Sequence, residues 1–422
     1  MKKNARGKKS SKERNVPEQR TLRLAAVIRY ELYKFVIEEG LKAFDQMLEQ
    51  DRERLCGPVK AKGSAGDPVR WGRTDARLSM GGRRVVVSRP RVRQNGREVE
   101  LPTWQAFADD DPLNERTVEQ LVLGVSTRGY DRSVEELPDE LGAHGASKSA
   151  ASRRFVAVTT ERLEAWSRRD LSDMDLVVIM LDGIQVDEHS VIVALGFDES
   201  GTKHPLGVWI GATENVAVCG ELLDDLIERG LDAHKRYLFV IDGSKALRAA
   251  IRERFGRRGL VQRCQIHKQR NVLSHLPKKL HPSVAKMMRD AYRSRSKKTA
   301  KSRLQQLATQ LAADHPDAAS SLKEGLDETL MLKGLGLPDW LERTLSSTNA
   351  IENVNGRMRA ILRRVKRWRD GSMIKRWVAT ALLEAERGFR KVRGYKGLPI
   401  LVAAIRGDAE RINRVDDEEA AA

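Results

Sequence analysis

Cysteine is scarce in this chain, with three residues among 422. Cys56, Cys219 and Cys264 form an odd and widely spaced set, which argues against a disulfide framework and favours a reducing compartment. No CxxC pair occurs, so a self-contained zinc site with four ligands is not predicted. Cysteine usage therefore predicts a cytoplasmic protein.

Long apolar runs are also missing. No segment is long and apolar enough for a membrane span, and none resembles the hydrophobic part of a signal peptide. The GxGxxG sequence of a doubly wound dinucleotide-binding sheet is absent as well. We therefore expect no membrane partner and no Rossmann-type domain.

Positive charge, by contrast, is abundant. The chain carries 77 Lys and Arg against 59 Asp and Glu, a formal net charge of +18. Such an excess attracts polyanions, and nucleic acid is the first candidate, which would place the protein at the nucleoid. A merely basic surface is the alternative. Residues 1–20 are basic and almost without apolar side chains, which predicts a disordered arm that seeks phosphates.

Two regions are predicted between this arm and the first apolar strands. Residues 21–110 are expected to hold a helix, a loop at 57–76 and a basic hairpin that turns at Asn95-Gly96. Residues 111–170 are predicted to be helical and to resemble a helix-turn-helix DNA-binding domain. Arg153 and Arg154 would face DNA in that interpretation, whereas an ordinary three-helix packet is the alternative.

Residues 171–400 have a different pattern. Three consecutive β-rich runs at 176–186, 189–199 and 204–213 are followed by alternating helices and strands. This order predicts an α/β ribonuclease-H-like catalytic domain, preceded by the mainly helical DNA-binding region. A helical insertion is predicted at about 277–345, and residues 401–422 are predicted to form a C-terminal tail.

Asp182 and Asp242 stand out on the predicted strands. Asp182 lies within an apolar strand, where a charge is costly unless it is paired or binds a cation. Asp242 ends the strand YLFVID at the carboxyl edge of the sheet. Because these strands are expected to be neighbours, the carboxylates can face each other around a divalent ion. The alternative role of Asp242 is to cap the following helix.

A third acid is predicted on the helix that begins near Asn349. On a helical wheel one stripe of about 60–80° carries an acid, an amide and three cations, namely Glu352, Asn355, Arg359, Arg363 and Lys366. That stripe suits a metal ligand followed by residues that bind phosphates. A capping box formed by Asn349 and Glu352 is the structural alternative. Five rival acids stay open, namely Asp187, Glu188, Asp198, Glu342 and Glu384.

Cys264 and His267 form a CxxH sequence at a strand-to-helix junction. Two ligands alone do not make a structural zinc site, so a packing role for Cys264 is an equally reasonable interpretation. His267 shares a helical face with Arg270 and Asn271, which could approach DNA or a carboxylate of the site.

These residues occur in sequence contexts that resemble the Mutator-type transposases of bacterial insertion sequences. The motifs are LDGIQV, VIDGSKAL, QRCQIHKQRN and STNAIENVNGRMR, in that order, and the resemblance runs from about residue 60 to 400. It implies that Asp182, Asp242 and Glu352 are the catalytic acids and that Cys264 and His267 belong to the C/D-x-x-H signature. Relatives often have a Trp after the Glu at the end of the third strand, whereas Asn215 follows Glu214 here.

The resemblance also implies a reaction. Two divalent ions, Mg²⁺ or Mn²⁺, would be held by the three acids and would support hydrolysis and then attack of the freed 3′-OH on target DNA. The expected partners are terminal inverted repeats, target DNA and further copies of this chain. The alternatives are a nuclease of the same fold without strand transfer, a DNA-binding regulator and an inactive copy of an element.

Overall fold

The structure is a computed structural model that describes residues 16–59, 64, 66–80, 83–109, 112–134, 137, 144 and 147–405. The chain divides into two compact units, Met1–Val158 and Thr159–Ala422. Most of the predicted basic arm lies outside the described residues, and the first helix begins at Val16 within its range. The predicted tail begins inside a helical stretch at 398–405, and the remainder of the tail lies outside the described residues.

The first unit contains one long helix and a small antiparallel sheet. Its elements are α1 (Val16–Cys56), β1 (Val69–Met80), β2 (Arg83–Gln94) and β3 (Arg97–Val99). The sheet order is β1-β2-β3, and α1 packs against β2. The core between them consists of Ile37, Phe44, Leu48, Leu78, Val85, Val92, Leu101 and Leu137.

The hairpin prediction is confirmed at its turn and corrected at its edge. Asn95 and Gly96 have φ values of 50° and 77°, the left-handed conformation that a two-residue hairpin turn requires. The predicted loop at 57–76 is partly wrong, because β1 begins at Val69 and pairs with β2 along most of its length. The sequence of β1 is polar and half-exposed, so its strand character comes from this pairing rather than from its own apolar pattern.

The remainder of the first unit is less helical than predicted. Its helices are α2 (Pro102–Asp109), α3 (Pro112–Leu123) and the start of α4 (Lys148–Ser167). Among the described residues between α3 and α4, a 3₁₀ turn at Asp131–Ser133 stands where continuous helix was predicted. The first helix of the predicted helix-turn-helix lies mostly outside the described residues. Arg153 is exposed and Arg154 is half-buried on α4, and their contact with DNA stays a prediction.

The second unit is built on a mixed five-stranded sheet with the order β6-β5-β4-β7-β8. Its strands are β4 (Leu176–Val186), β5 (His189–Asp198), β6 (Lys203–Gly211), β7 (Tyr237–Ile241) and β8 (Gly259–Arg263). The pairs β4–β5 and β5–β6 are antiparallel, whereas β4–β7 and β7–β8 are parallel. The three consecutive β-rich runs predicted from the sequence are confirmed as this antiparallel half.

Helices cover both faces of the sheet. Helices α5 (Val216–Glu228) and α6 (Lys245–Phe255) share an apolar core with one face, which includes Ile179, Leu222 and Phe239. Helix α12 (Asn349–Leu362) packs against β4, and α13 (Gly371–Glu386) packs against β6. Because apolar layers cover it from both sides, β4 is buried along most of its length.

A helical segment separates β8 from α12. It contains α7 (Gln265–Ser274), α8 (His281–Tyr292), α9 (Lys297–Ala312), α10 (Pro316–Lys323) and α11 (Asp339–Leu345). A core of its own joins α7 to α10, including Met288, Leu304 and Leu322. The range predicted for the insertion is therefore helical. Among the described residues, none of the helices is both long and apolar enough to cross a membrane.

Candidate active site

Asp182 and Asp242 lie at corresponding positions of neighbouring strands. Leu181 of β4 pairs in parallel with Ile241 of β7, so Asp182 is the next residue of β4 and Asp242 is the first residue after β7. Because parallel strands run in the same direction, both carboxylates lie at the same end of this strand pair. The Oδ1 atom of Asp242 accepts a hydrogen bond of 2.9 Å from the amide of Ser244. Ser244, not Asp242, caps α6.

Asp182 is a buried carboxyl held by a buried amide. It is 8% exposed, and its Oδ2 atom accepts a hydrogen bond of 2.7 Å from Nδ2 of Asn355, which is completely buried on α12. Burial, with smaller contributions from the negative charges of Asp242 and Glu352, raises the pKa of Asp182 to about 6, against the lowering effect of the hydrogen bond from Asn355. The charges of Asp242 and Glu352 therefore both act on the Asp182 carboxyl.

Glu352 lies in the first turn of α12. The residue that caps this helix is Thr348, and its hydroxyl donates a hydrogen bond of 2.5 Å to Oε1 of Glu352. The capping box between Asn349 and Glu352 is therefore not formed, because Asn349 is already inside the helix. The hydroxyl of Thr348 restricts the rotation of the Glu352 side chain, and the sequence reasoning missed it. Its position four residues before Glu352 was the available signal.

Three of the rival acids contact basic side chains. Glu342 forms an ion pair of 2.7 Å with Lys333, and both side chains are nearly buried. Asp198 contacts His204 at 2.9 Å. A third rival, Glu384, lies 3.2 Å from Arg387. Asp187 occupies a hairpin turn with a φ of 54°, next to Glu188, and both are exposed. None of these positions groups them with Asp182 and Asp242.

Cys264 and His267 lie beside Glu352. Cys264 is completely buried and caps α7, where its sulfur accepts a hydrogen bond of 3.5 Å from the amide of His267. Nδ1 of His267 is 3.9 Å from Oε1 of Glu352. Hydrogen bonding to Cys264 raises the pKa of His267, and the charges of Glu352 and Asp242 add to this effect. The pKa of Cys264 is lowered, because hydrogen bonds to His267 and Thr348 outweigh its burial.

Glu214 is a further carboxylate at this edge of the sheet. A Cβ atom at Gly183 would lie 2.5 Å from Oε2 of Glu214, so the glycine gives room for this side chain directly after Asp182. Burial raises the pKa of Cys219 to about 12, with contributions from the charges of Glu214 and Asp242. The sequence reasoning did not assign Glu214 to the site, and the glycine next to Asp182 was its only local signal.

The predicted stripe of cations on α12 is correct for its first part only. Arg359 and Arg363 are exposed at the end of the helix, but α12 ends at Leu362 and Lys366 lies beyond it. Asn355 is also not on an exposed face, since it is buried against Asp182. Two exposed arginines therefore follow the site along α12, with Lys366 in the loop before α13.

Comparisons with known proteins agree on one family. The family model for the Mutator family of transposases matches residues 19–391. The transposase for insertion sequence element IS6120 of Mycolicibacterium smegmatis is 28% identical over 236 residues, which are 54% of this chain and 71% of the relative. The transposase for IS256 in transposon Tn4001 of Staphylococcus aureus is 28% identical over 285 residues, or 63% and 68% of the two chains. This chain belongs to the Mutator family of transposases.

Proposed function

We propose that this protein binds the terminal inverted repeats of an insertion sequence, cuts DNA strands by metal-assisted hydrolysis and joins the 3′-OH to target DNA. The catalytic acids are Asp182, Asp242 and Glu352. The observation that carries this proposal is the parallel pairing of Leu181 with Ile241, which makes two acids from distant segments neighbours. The raised pKa of Asp182, to which the charge of Glu352 contributes, supports the third assignment.

The order of the strands supports a ribonuclease-H-like fold. The strands of this sheet are numbered here by their order in the chain. From one edge of the sheet to the other, the order is third, second, first, fourth and fifth. The first three strands form an antiparallel meander, and the fourth and fifth are parallel to the first. The helical segment between α7 and α12 then corresponds to an insertion into this domain. The proposed site lies where the central strand β4 meets β7 and the first turn of α12.

The donor set fits divalent metal ions of the Mg²⁺ type. Three carboxylates offer oxygen ligands, which Mg²⁺ and Mn²⁺ prefer, and the buried Oδ1 atom of Asn355 has no hydrogen-bond partner among the described residues. Asp182, Asp242 and Glu352 would hold two such ions. When bound, the ions supply Lewis-acid activation of water and neutralise negative charge on the leaving oxygen.

The protein's own groups position the acids. Asn355 fixes the rotamer of Asp182, the amide of Ser244 orients Asp242, and the hydroxyl of Thr348 orients Glu352. All three partners are neutral, so the acids keep their negative charge available for cations. Arg359, Arg363 and Lys366 would bind the phosphates of the DNA strand, and Arg153 and Arg154 would bind DNA from the first unit.

The experiment is a combined cutting and joining assay. Purified full-length protein is incubated with labelled terminal-repeat DNA, a target plasmid and Mg²⁺, and the products are separated by size. Joined products support the proposal, whereas cut ends without joining identify a nuclease. DNA binding without either product identifies a regulator or an inactive copy. Because two ends must be joined, we also propose a homo-oligomer on terminal-repeat DNA, measured by light scattering of the complex.

A further inference from the structure

We propose that Cys264, His267 and Glu352 form a second metal site, for Zn²⁺ or a similar transition-metal ion, and that its occupancy inhibits the transposase. The binding of the ion stands on the geometry of these three residues. The inhibition rests on the proposed function, because it requires Glu352 to serve the carboxylate centre as well.

The three potential ligand atoms are already close together. The sulfur of Cys264, a ring nitrogen of His267 and a carboxylate oxygen of Glu352 all lie within 4.8 Å of one another. Ligands on a tetrahedral zinc ion, at about 2.0–2.3 Å from the metal, are about 3.5 Å apart. A contraction of about 1 Å, which small side-chain rotations can provide, would therefore complete the site.

The backbone also holds the ligands in place. Cys264 and His267 are one turn apart at the start of α7, and Glu352 is in the first turn of α12. The amide of Gln265 donates a hydrogen bond of 2.9 Å to the carbonyl of Ser346, which joins the start of α7 to the segment before α12. The ligands therefore come from two helix starts that are fixed to each other, as a preformed site requires.

The chemistry of this donor set differs from that of the carboxylate centre. Mg²⁺ prefers oxygen ligands, whereas a thiolate and an imidazole select Zn²⁺, Co²⁺ and related ions. Three protein ligands leave one position of a tetrahedral ion open for water or for the hydroxyl of Thr348, which is 2.5 Å from Oε1 of Glu352. The site should thus bind zinc in the presence of excess Mg²⁺.

The shared carboxylate links the two sites. A Glu352 side chain that turns toward Cys264 and His267 is withdrawn from Asp182 and Asp242, and its charge is neutralised by the transition-metal ion. We therefore expect micromolar zinc to reduce cleavage at constant Mg²⁺, and Cys264→Ser to make cleavage less sensitive to zinc. Replacing one of three ligands should weaken zinc binding about tenfold or more, since loss of a supporting group alone costs about 10–100-fold.

Cobalt provides a readout that needs no activity. Full-length protein without Mg²⁺ is titrated with Co²⁺, and the near-ultraviolet absorption of a thiolate bound to cobalt is followed. The wild type should show this absorption with one ion per chain, and zinc should displace it. Cys264→Ser should abolish the absorption, and His267→Gln and Glu352→Gln should weaken cobalt binding. The matched control Cys56→Ser, whose cysteine lies in the first unit, should retain it.

Further variants distinguish failure of this site from failure of the carboxylate centre. Asp242→Asn removes a proposed Mg²⁺ ligand and should leave the absorption of the cobalt–thiolate bond unchanged. Absence of the absorption in the wild type, or its loss in Asp242→Asn, would overturn the second site whether or not the protein joins DNA. Cobalt binding as expected but cleavage insensitive to zinc would overturn the inhibition. Circular dichroism of each variant establishes that it is folded.

Discussion

The sheet of the first unit and the candidate site of the second unit treat their charged side chains in opposite ways. In the first unit, several arginines of the sheet are paired with acids or lie over aromatic rings. Arg73 pairs with Asp45 and Glu49, and the guanidinium of Arg93 lies 4.4 Å from the centre of the Trp71 ring. In the second unit, the three acids at the edge of the sheet are held by an amide, a backbone N–H and a hydroxyl.

The paired charges of the first unit's sheet stabilise the fold, whereas the acids of the candidate site are arranged at a cost in stability. Partly exposed ion pairs such as those of Arg73 contribute about 0–1 kcal/mol each and neutralise charge locally. Acids that are grouped without a lysine or arginine partner repel one another, and a buried one such as Asp182 costs stability in its ionised form. Among the described residues, neither Lys nor Arg forms an ion pair with Asp182, Asp242 or Glu352. Uncompensated charge of this kind is typical of sites that bind ions or substrates.

The largest expected effect is loss of catalysis when one of the grouped acids is neutralised. Asp182→Asn, Asp242→Asn and Glu352→Gln should each abolish strand cleavage and leave DNA binding intact, because each removes a proposed metal ligand and no proposed phosphate contact. Cleavage of labelled terminal-repeat DNA and a gel-shift assay measure the two properties. Asp187→Asn and Glu384→Gln, which change acids outside the group, are the matched controls. Loss of cleavage in a control with retention in Glu352→Gln would refute the third assignment.

The second effect is a gain of folding stability from Asp182→Asn. The folded-state pKa of Asp182 is about 6, above its ordinary value of 3.8, so this group favours the folded state most below pH 3.8 and loses that contribution as pH rises through about 6. An asparagine side chain cannot ionise, so Asp182→Asn should raise the free energy of unfolding at neutral pH by roughly 2–3 kcal/mol without divalent ions.

Thermal unfolding at neutral and at acidic pH measures this gain. The difference between Asp182→Asn and the wild type should shrink at acidic pH, where Asp182 is protonated in both the folded and unfolded chain. Added Mg²⁺ should stabilise the wild type more than the variant. An equal difference at both pH values would show that the charge of Asp182 is not its cause.

A smaller effect is expected from the amide that holds Asp182. Asn355→Ala removes a buried hydrogen bond to the acid and should lower the rate of cleavage about 10–100-fold, the range for groups that orient metal ligands. The loss should lie mainly in the turnover number and not in DNA binding. Asn353→Ala, at an exposed position of the same helix, is the control and should cleave normally. Equal losses in both variants would point to a general effect on α12.

The smallest expected effect is on the salt dependence of DNA binding, and it distinguishes exposed arginines near the site from an arginine that is paired with acids. Arg359→Gln and Arg363→Gln should each reduce the slope of log K against log salt for duplex DNA by about 1, because each removes a proposed phosphate contact. Arg73→Gln should leave the slope unchanged, since its guanidinium is engaged with Asp45 and Glu49. Fluorescence anisotropy at several salt concentrations measures this slope. A change for Arg73→Gln as large as for Arg359→Gln would contradict the comparison between the units.

Several features could be predicted from local sequence because local physics decides them. The Asn95-Gly96 turn follows from residues that tolerate a positive φ, and both have one. Strand β4 follows from a short, β-branched apolar run of the kind that is typical of a strand buried on both faces. The placement of Glu352 in the first turn of α12 follows from the periodicity of the apolar residues that precede and follow it.

Other features could not be predicted because they depend on distant segments or on how elements end. Strand β1 is polar and forms only because β2 is available as a partner. Lys366 was assigned to α12 because the residues after Leu362 are compatible with a helix and contain no Gly or Pro until Gly371. Asp370 instead caps α13, and the chain between the two helices leaves the helical conformation. A helical wheel carries no information about such an end.

The sequence by itself determined which residue types this protein has for its chemistry: two acids at strand positions, one in the first turn of a helix, and a basic excess. Tertiary structure alone decided which of these side chains become neighbours. Asp182 and Asn355 are 173 residues apart in the chain, yet they share a hydrogen bond. The parallel register of β4 and β7 and the bond between Gln265 and Ser346 bring further segments together. Contacts of this kind are selected by burial and hydrogen bonding of the whole fold, and short-range patterns do not record them.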